Sequence, residues 1–219
     1  VNNTGVWIQG GDTSAATVVN TGAWAADGAH TIQTSSLTGT GEFGMVTADD
    51  RLTVELGGNS TFAGTFTGEG TLVKAGTGVL TLTGASTHTG GTTVAAGTLD
   101  TVGGGTLADT GAITILAGAS FNAATADTVG AVDNRGTINV AADQNMASLV
   151  NTGTAHLRAD LASAGTVSND GVLNVHGERS LSTAGLAGGA GGVVNLAQAG
   201  DVLNLNQSGA SLYAGTIQG

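Results

Sequence analysis

One short unit returns along the chain with its glycine at an almost fixed interval. It reads Val1-Asn2-Asn3-Thr4-Gly5-Val6-Trp7-Ile8, and again Val19-Asn20-Thr21-Gly22-Ala23-Trp24. It returns as Val132-Asp133-Asn134-Arg135-Gly136-Thr137-Ile138, as Val150-Asn151-Thr152-Gly153 and as Val167-Ser168-Asn169-Asp170-Gly171-Val172-Leu173. The glycine falls at Gly5 and Gly22, then at Gly136, Gly153 and Gly171, with a step that hardly changes. Self-similarity at such a period marks a repeat architecture. The Asn-x-Gly step predicts a turn that tolerates positive φ, and the alternation after it predicts a short strand.

A second unit, Gly-x-apolar-x-apolar, appears at Gly70-Thr71-Leu72-Val73-Lys74, Gly78-Val79-Leu80-Thr81-Leu82, Gly111-Ala112-Ile113-Thr114-Ile115 and Gly192-Val193-Val194-Asn195-Leu196. Period-two alternation predicts strands with one face inward. No segment sustains a helical period, so almost no helix is expected. Strands at this spacing describe the rungs of a β-solenoid, none of which can bury its apolar face alone. About 10–12 rungs, at about 4.8 Å each, would make a rod roughly 50 Å long.

The composition agrees. There are 39 glycines for the turns and no Pro, as stacking requires, because every interior strand must donate its N–H to a neighbour. Aromatic residues make up only 3% of the chain, so each local core is thin. No Cys is present, which removes disulfides, thiolate metal sites and cysteine nucleophiles. The formal charge of -11, with five basic residues, excludes nucleic acid as a partner, since nothing could neutralise a row of phosphates. No apolar run approaches the ~20 residues of a membrane-spanning helix.

A longer duplication overlies the rungs. Residues 19–37 match 168–186 at an offset of 149, and the offset becomes 151 from the pair Gly41 and Gly192 onward. Thus 19–68 is repeated at 168–219, and 1–219 reads as a single continuous solenoid fragment of about one and a half modules of a longer rod.

The segment from Gly68-Glu69-Gly70-Thr71-Leu72-Val73-Lys74 through Gly76-Thr77-Gly78-Val79-Leu80-Thr81-Leu82 to Gly90-Gly91-Thr92-Thr93-Val94-Ala95-Ala96-Gly97-Thr98-Leu99 resembles the passenger-associated transport repeat of bacterial autotransporters (type V secretion). The resemblance covers 68–99 and departs at His88, where the family pattern has Tyr. It implies a right-handed parallel β-helix and a passenger domain secreted through the outer membrane to the surface of a Gram-negative bacterium. It further implies a C-terminal β-barrel translocator outside this chain. Absence of Cys suits passage in an unfolded state, since no disulfide can trap the chain.

Chemistry-bearing residues are sparse. Asp49-Asp50, followed by Arg51, is the one local acid–base cluster, and a polar turn before the strand Leu52-Val54-Leu56 is its plainer reading. As catalytic acids, Asp49 and Asp50 would make the chain a carbohydrate-active β-helix lyase or glycosidase. His30, His88, His156 and His176 show no metal-ligand spacing and read as turn or surface residues. No cofactor or metal site is expected. Trp7 and Trp24, at equivalent positions of the first two recurring units, are expected to stack on adjacent rungs, as core filling in preference to an exposed ladder. Exposed, they would form a contact hot spot. The expected function is a non-enzymatic stalk or adhesin that aids its own secretion. A segment that self-associates or binds a host surface protein is the alternative, with the enzyme as a further one.

Overall fold

The computed structural model of the chain describes residues 1–207 and 209–219. Among these there is no helix, and the strands pair in parallel into a β-solenoid of about 11 turns. An eleven-stranded sheet runs from Thr13–Ala15 to Val202–Leu205, taking one strand from each turn. A nine-stranded sheet runs beside it from Ser60–Phe62 to Thr216–Gln218. A four-stranded sheet (Val6–Gln9, Ala23–Ala26, Glu42–Met45, Thr65–Gly68) and a three-stranded one complete the N-terminal turns. Phe121 pairs with Ile138 across a short turn and Val194 with Ile217 across a longer one, so turn length varies while the core stays aligned.

Each turn contributes the inward half of its alternation to one shared core. Leu99, Phe121, Ile138, Ala155, Leu173 and Val194 form one such column, in register and fully buried. Burying a Leu, Ile or Phe contributes about 1.5–3 kcal/mol, and no turn could bury these without its neighbours. Charge adds little: the single ion pair among the described residues, Arg135–Asp133, lies on the surface.

The recurring unit has a different basis from the one its sequence suggests. Gly22, Gly136, Gly153 and Gly171 are not in positive φ. A Cβ at Gly22 would instead overlap the Gly5 carbonyl oxygen, and one at Gly153 or Gly171 would overlap the equivalent atom of the turn before. Glycine is required there because successive corners stack too closely for any side chain. The Asn two residues before each of these glycines is buried. Asn134 Nδ2 donates to Asn151 Oδ1 at 2.7 Å, and Asn151 Nδ2 donates to Asn169 Oδ1 at 2.7 Å. Each amide also donates to a backbone carbonyl of the following turn: Thr154, Val172 and Val193. Asn3 and Asn20 form the same pair at the other end of the rod. The middle ladder begins on Asn134 because the residue below it is Ile115, which leaves Asn134 Oδ1 without a donor.

The two copies of the duplicated segment use the same contacts. The bridge Gly39↔Phe62 has its counterpart in Gly188↔Tyr213, and the Thr34 hydroxyl bond to Ser36 in that of Thr183 to Gly185. They do not lie directly above one another. Leu52 stacks through Leu72, Thr92, Ile113, Val132, Leu149 and Val167 to Leu186, whereas its sequence counterpart Leu203 stacks on Leu181. Leu181 and Leu186 lie on opposite sides of the register break in the long strands. The offset is therefore not a whole number of turns, and the second copy is displaced around the rod.

Candidate functional site

Aromatic rings form one column in the N-terminal turns of the rod. Trp7, Trp24, Phe43 and Phe66 are register partners on four consecutive strands. Trp7 and Trp24 stack with centroids 4.7 Å apart and planes 7° from parallel, and Phe43 lies 5.2 Å beyond. Trp24 is buried and donates its indole N–H to Gln9 Oε1 at 3.0 Å; Trp7, one turn below, is 36% exposed. The column ends on His88, edge-on to Phe66 at 6.0 Å.

His88 lies in a turn, as the sequence suggests, but not at the surface. It is buried, taking the place of one more ring at the top of the column. Its Nε2 meets the Thr92 hydroxyl at 3.0 Å, and its Nδ1 has no partner. Burial pulls its pKa down to about 4, because a charged imidazolium would be desolvated there. The unfolded chain therefore binds a proton in a range, from about 6.5 down to 4, where the folded chain does not. Stability held above pH 6.5 is expected to fall by about 3 kcal/mol as the pH drops to 4. Urea midpoints at pH 7 and pH 4 check this: His88→Phe should remove most of the difference. His30, His156 and His176 are partly exposed, as expected, and the rings of the last two stack 5.9 Å apart.

A second buried titratable group, Lys74, is fully enclosed with no carboxylate partner. Its ammonium donates to the carbonyl oxygens of Ala75 and Gly76 at 2.9 Å and of Ala96 at 3.0 Å. The first two belong to its own turn and the third to the next, so one charge ties two turns together. Burial draws its pKa down to about 8. Reasoning from motifs misses this residue, although a signal is present: in Leu72-Val73-Lys74 the period-two alternation puts Lys74 on the inward face with Leu72.

Around these two residues the chain closes on itself. Leu72–Lys74 pairs with Thr92–Val94, and Val79–Leu82 pairs with Thr98–Thr101, so one stretch supplies both members of two parallel ladders. The family model of the passenger-associated-transport-repeat matches residues 72–100. Together with the solenoid, the repeat is consistent with an autotransporter passenger domain. No curated protein and no solved structure matches the chain.

The acidic pair sits apart from the transport repeat's interior, and its two members differ. Asp49 is exposed. Asp50 is buried, and its oxygens accept from the backbone N–H groups of His30 (2.9 Å) and Thr47 (2.8 Å) and from the Thr47 hydroxyl (3.0 Å). Despite the opposing effect of burial, these bonds hold its pKa below the ordinary carboxylate value. Asp201, its counterpart in the second copy of the duplicated segment, caps Arg179 and Gln198 in the same way. The geometry is that of a recurring turn cap. Among the described residues no group of three or more His, Asp or Glu is placed to hold a metal ion.

Proposed function

We propose that the chain is a non-catalytic, rod-shaped stalk of an autotransporter passenger. In this reading it is displayed on the surface of a Gram-negative bacterium after secretion through the outer membrane by its own C-terminal β-barrel. The transport repeat seeds folding of the rod as it emerges. The observation that carries this is the match of the transport-repeat model to residues 72–100, a stretch that holds the buried ammonium of Lys74. That one charge bonds carbonyls of two successive turns and so ties them together beyond their strand ladders. Neighbouring turns can then add one at a time to an existing edge. The commitment of Asp50 to a turn cap speaks for a stalk and against Asp49 and Asp50 as a catalytic pair.

The test is surface display of the complete passenger with its translocator, followed by protease accessibility on intact cells. Lys74→Ala, inside the repeat, is compared with Leu157→Ala, an equally buried site outside it. If the repeat seeds folding, the first variant should lose several-fold more display than the second. Equal display of the two would remove the seeding role.

A further inference from the structure

A furrow runs along one side of the rod, and the stalk reading leaves it unassigned. Its most voluminous part is a cavity of about 560 Å³ on the outer face of the long strands, where they change register between Met146 and Leu149 and between Ser163 and Thr166. That volume falls in the range of about 300–1,000 Å³ typical of ligand clefts. Two smaller hollows adjoin it, and Asp109 lines all three. From Thr87 to Asn206 the furrow crosses seven successive turns, about 30 Å at the strand spacing.

In the main cavity methyl groups are interleaved with amides and hydroxyls: Ala147, Ala164 and Ala184 line it, and Ala162 stands in one row with Thr128, Asn145 and Ser182. The hollow beside it adds Asp127, whose oxygens accept from the backbone N–H groups of Leu107 and Thr128, and Asp143, which accepts from that of Asp160. No Lys or Arg lines any part, and Asp109, on the second of the seven turns, presents an exposed carboxylate on a chain of charge -11. An anionic ligand is therefore repelled. An extended peptide finds no free strand edge to pair with, since the long strands are bonded on both sides, and no deep pockets for alternate side chains. An alkyl chain would keep much of its surface in water against the interleaved polar groups. A sugar polymer meets each condition: C–H faces for the methyl groups, hydroxyls for the interleaved amides and the Asp109 carboxylate, and a repeating unit close to the rung spacing in length.

We propose that this furrow binds a neutral linear polysaccharide lying along the rod axis, with Asp109 accepting hydrogen bonds from sugar hydroxyls. The chain is tested on an array of immobilised neutral, uronate-containing and sulfated oligosaccharides, with oligolysine as the peptide arm. Any neutral binder is then titrated by calorimetry at increasing chain length. Binding to neutral glycans that tightens with length is expected. Ala164→Trp, an outward substitution, should weaken it at least ~10-fold by filling the groove. Asp109→Asn should weaken it ~5-fold by removing a charge-assisted acceptor. A thermal melt checks that both variants fold. Three results would overturn the proposal: no neutral glycan bound, binding unchanged in both variants, or oligolysine bound in place of sugar. None of these bears on surface display, so the stalk reading stands or falls separately.

Discussion

Lys74→Ala is expected to destabilise the rod by about 5 kcal/mol, the largest effect of any single polar side chain in it. Two contributions add. Removing the ammonium leaves the Gly76 and Ala96 carbonyls without their side-chain donor, at roughly 1–3 kcal/mol for each buried group. Removing the alkyl stem from a fully buried position opens a cavity, worth about 2–3 kcal/mol more. Lys74→Met separates the two, since it keeps most of the volume, and should cost about half as much. Because each turn contacts only its neighbours, the damage should be local. Hydrogen exchange should show protection lost over residues 71–101 while the turns around Leu157 and Leu173 keep theirs. Uniform loss of protection along the whole rod would contradict the picture of one ammonium tying two turns.

Asn151→Ala should cost about 3 kcal/mol, although alanine is small and apolar and the site is fully buried. Asn151 is the middle of its ladder. Without it Asn169 Oδ1 loses its donor, the Val172 carbonyl loses a side-chain bond, and one Asn134 N–H is left unpaired. Asn151→Asp is the sharper test. An aspartate can accept from Asn134, but ionised it cannot donate to Asn169, and a buried lone charge is costly. Protonation restores a donor. The Asp variant should therefore lie furthest below the native chain at pH 7 and recover part of the gap towards pH 4, the opposite slope to that expected from His88. Chemical denaturation at both pH values distinguishes these outcomes. A flat difference would mean that the ladder bonds contribute little.

These two residues mark the boundary between local and tertiary information. The alternation in segments such as Val79-Leu80-Thr81-Leu82 and the near-constant return of Asn and Gly already specified parallel strands, a stacked core and about the right number of turns. Those are properties of one strand and its period, and period is a local quantity. The transport repeat was legible for the same reason, being a continuous run. His88 was not, because the turn that carries it has no alternation to say which way the ring points. Lys74 lay in plain alternation, but its role depends on the Ala96 carbonyl, which belongs to the following turn. Asp50 has the look of chemistry in the sequence, yet the His30 and Thr47 amides occupy its oxygens.

A β-solenoid is written into the residues one at a time: without Pro, with 39 glycines spread along the chain and with mostly small apolar side chains, stacking is the way it can pair its backbone and bury its residues. Why Gly22, Gly153 and Gly171 cannot be replaced, which amides form ladders, where the furrow runs and how the duplicated copies are set around the rod come from the stacking of whole turns. Each of these depends on what the next turn places about 4.8 Å away, a matter of register between turns of unequal length that no single repeat encodes.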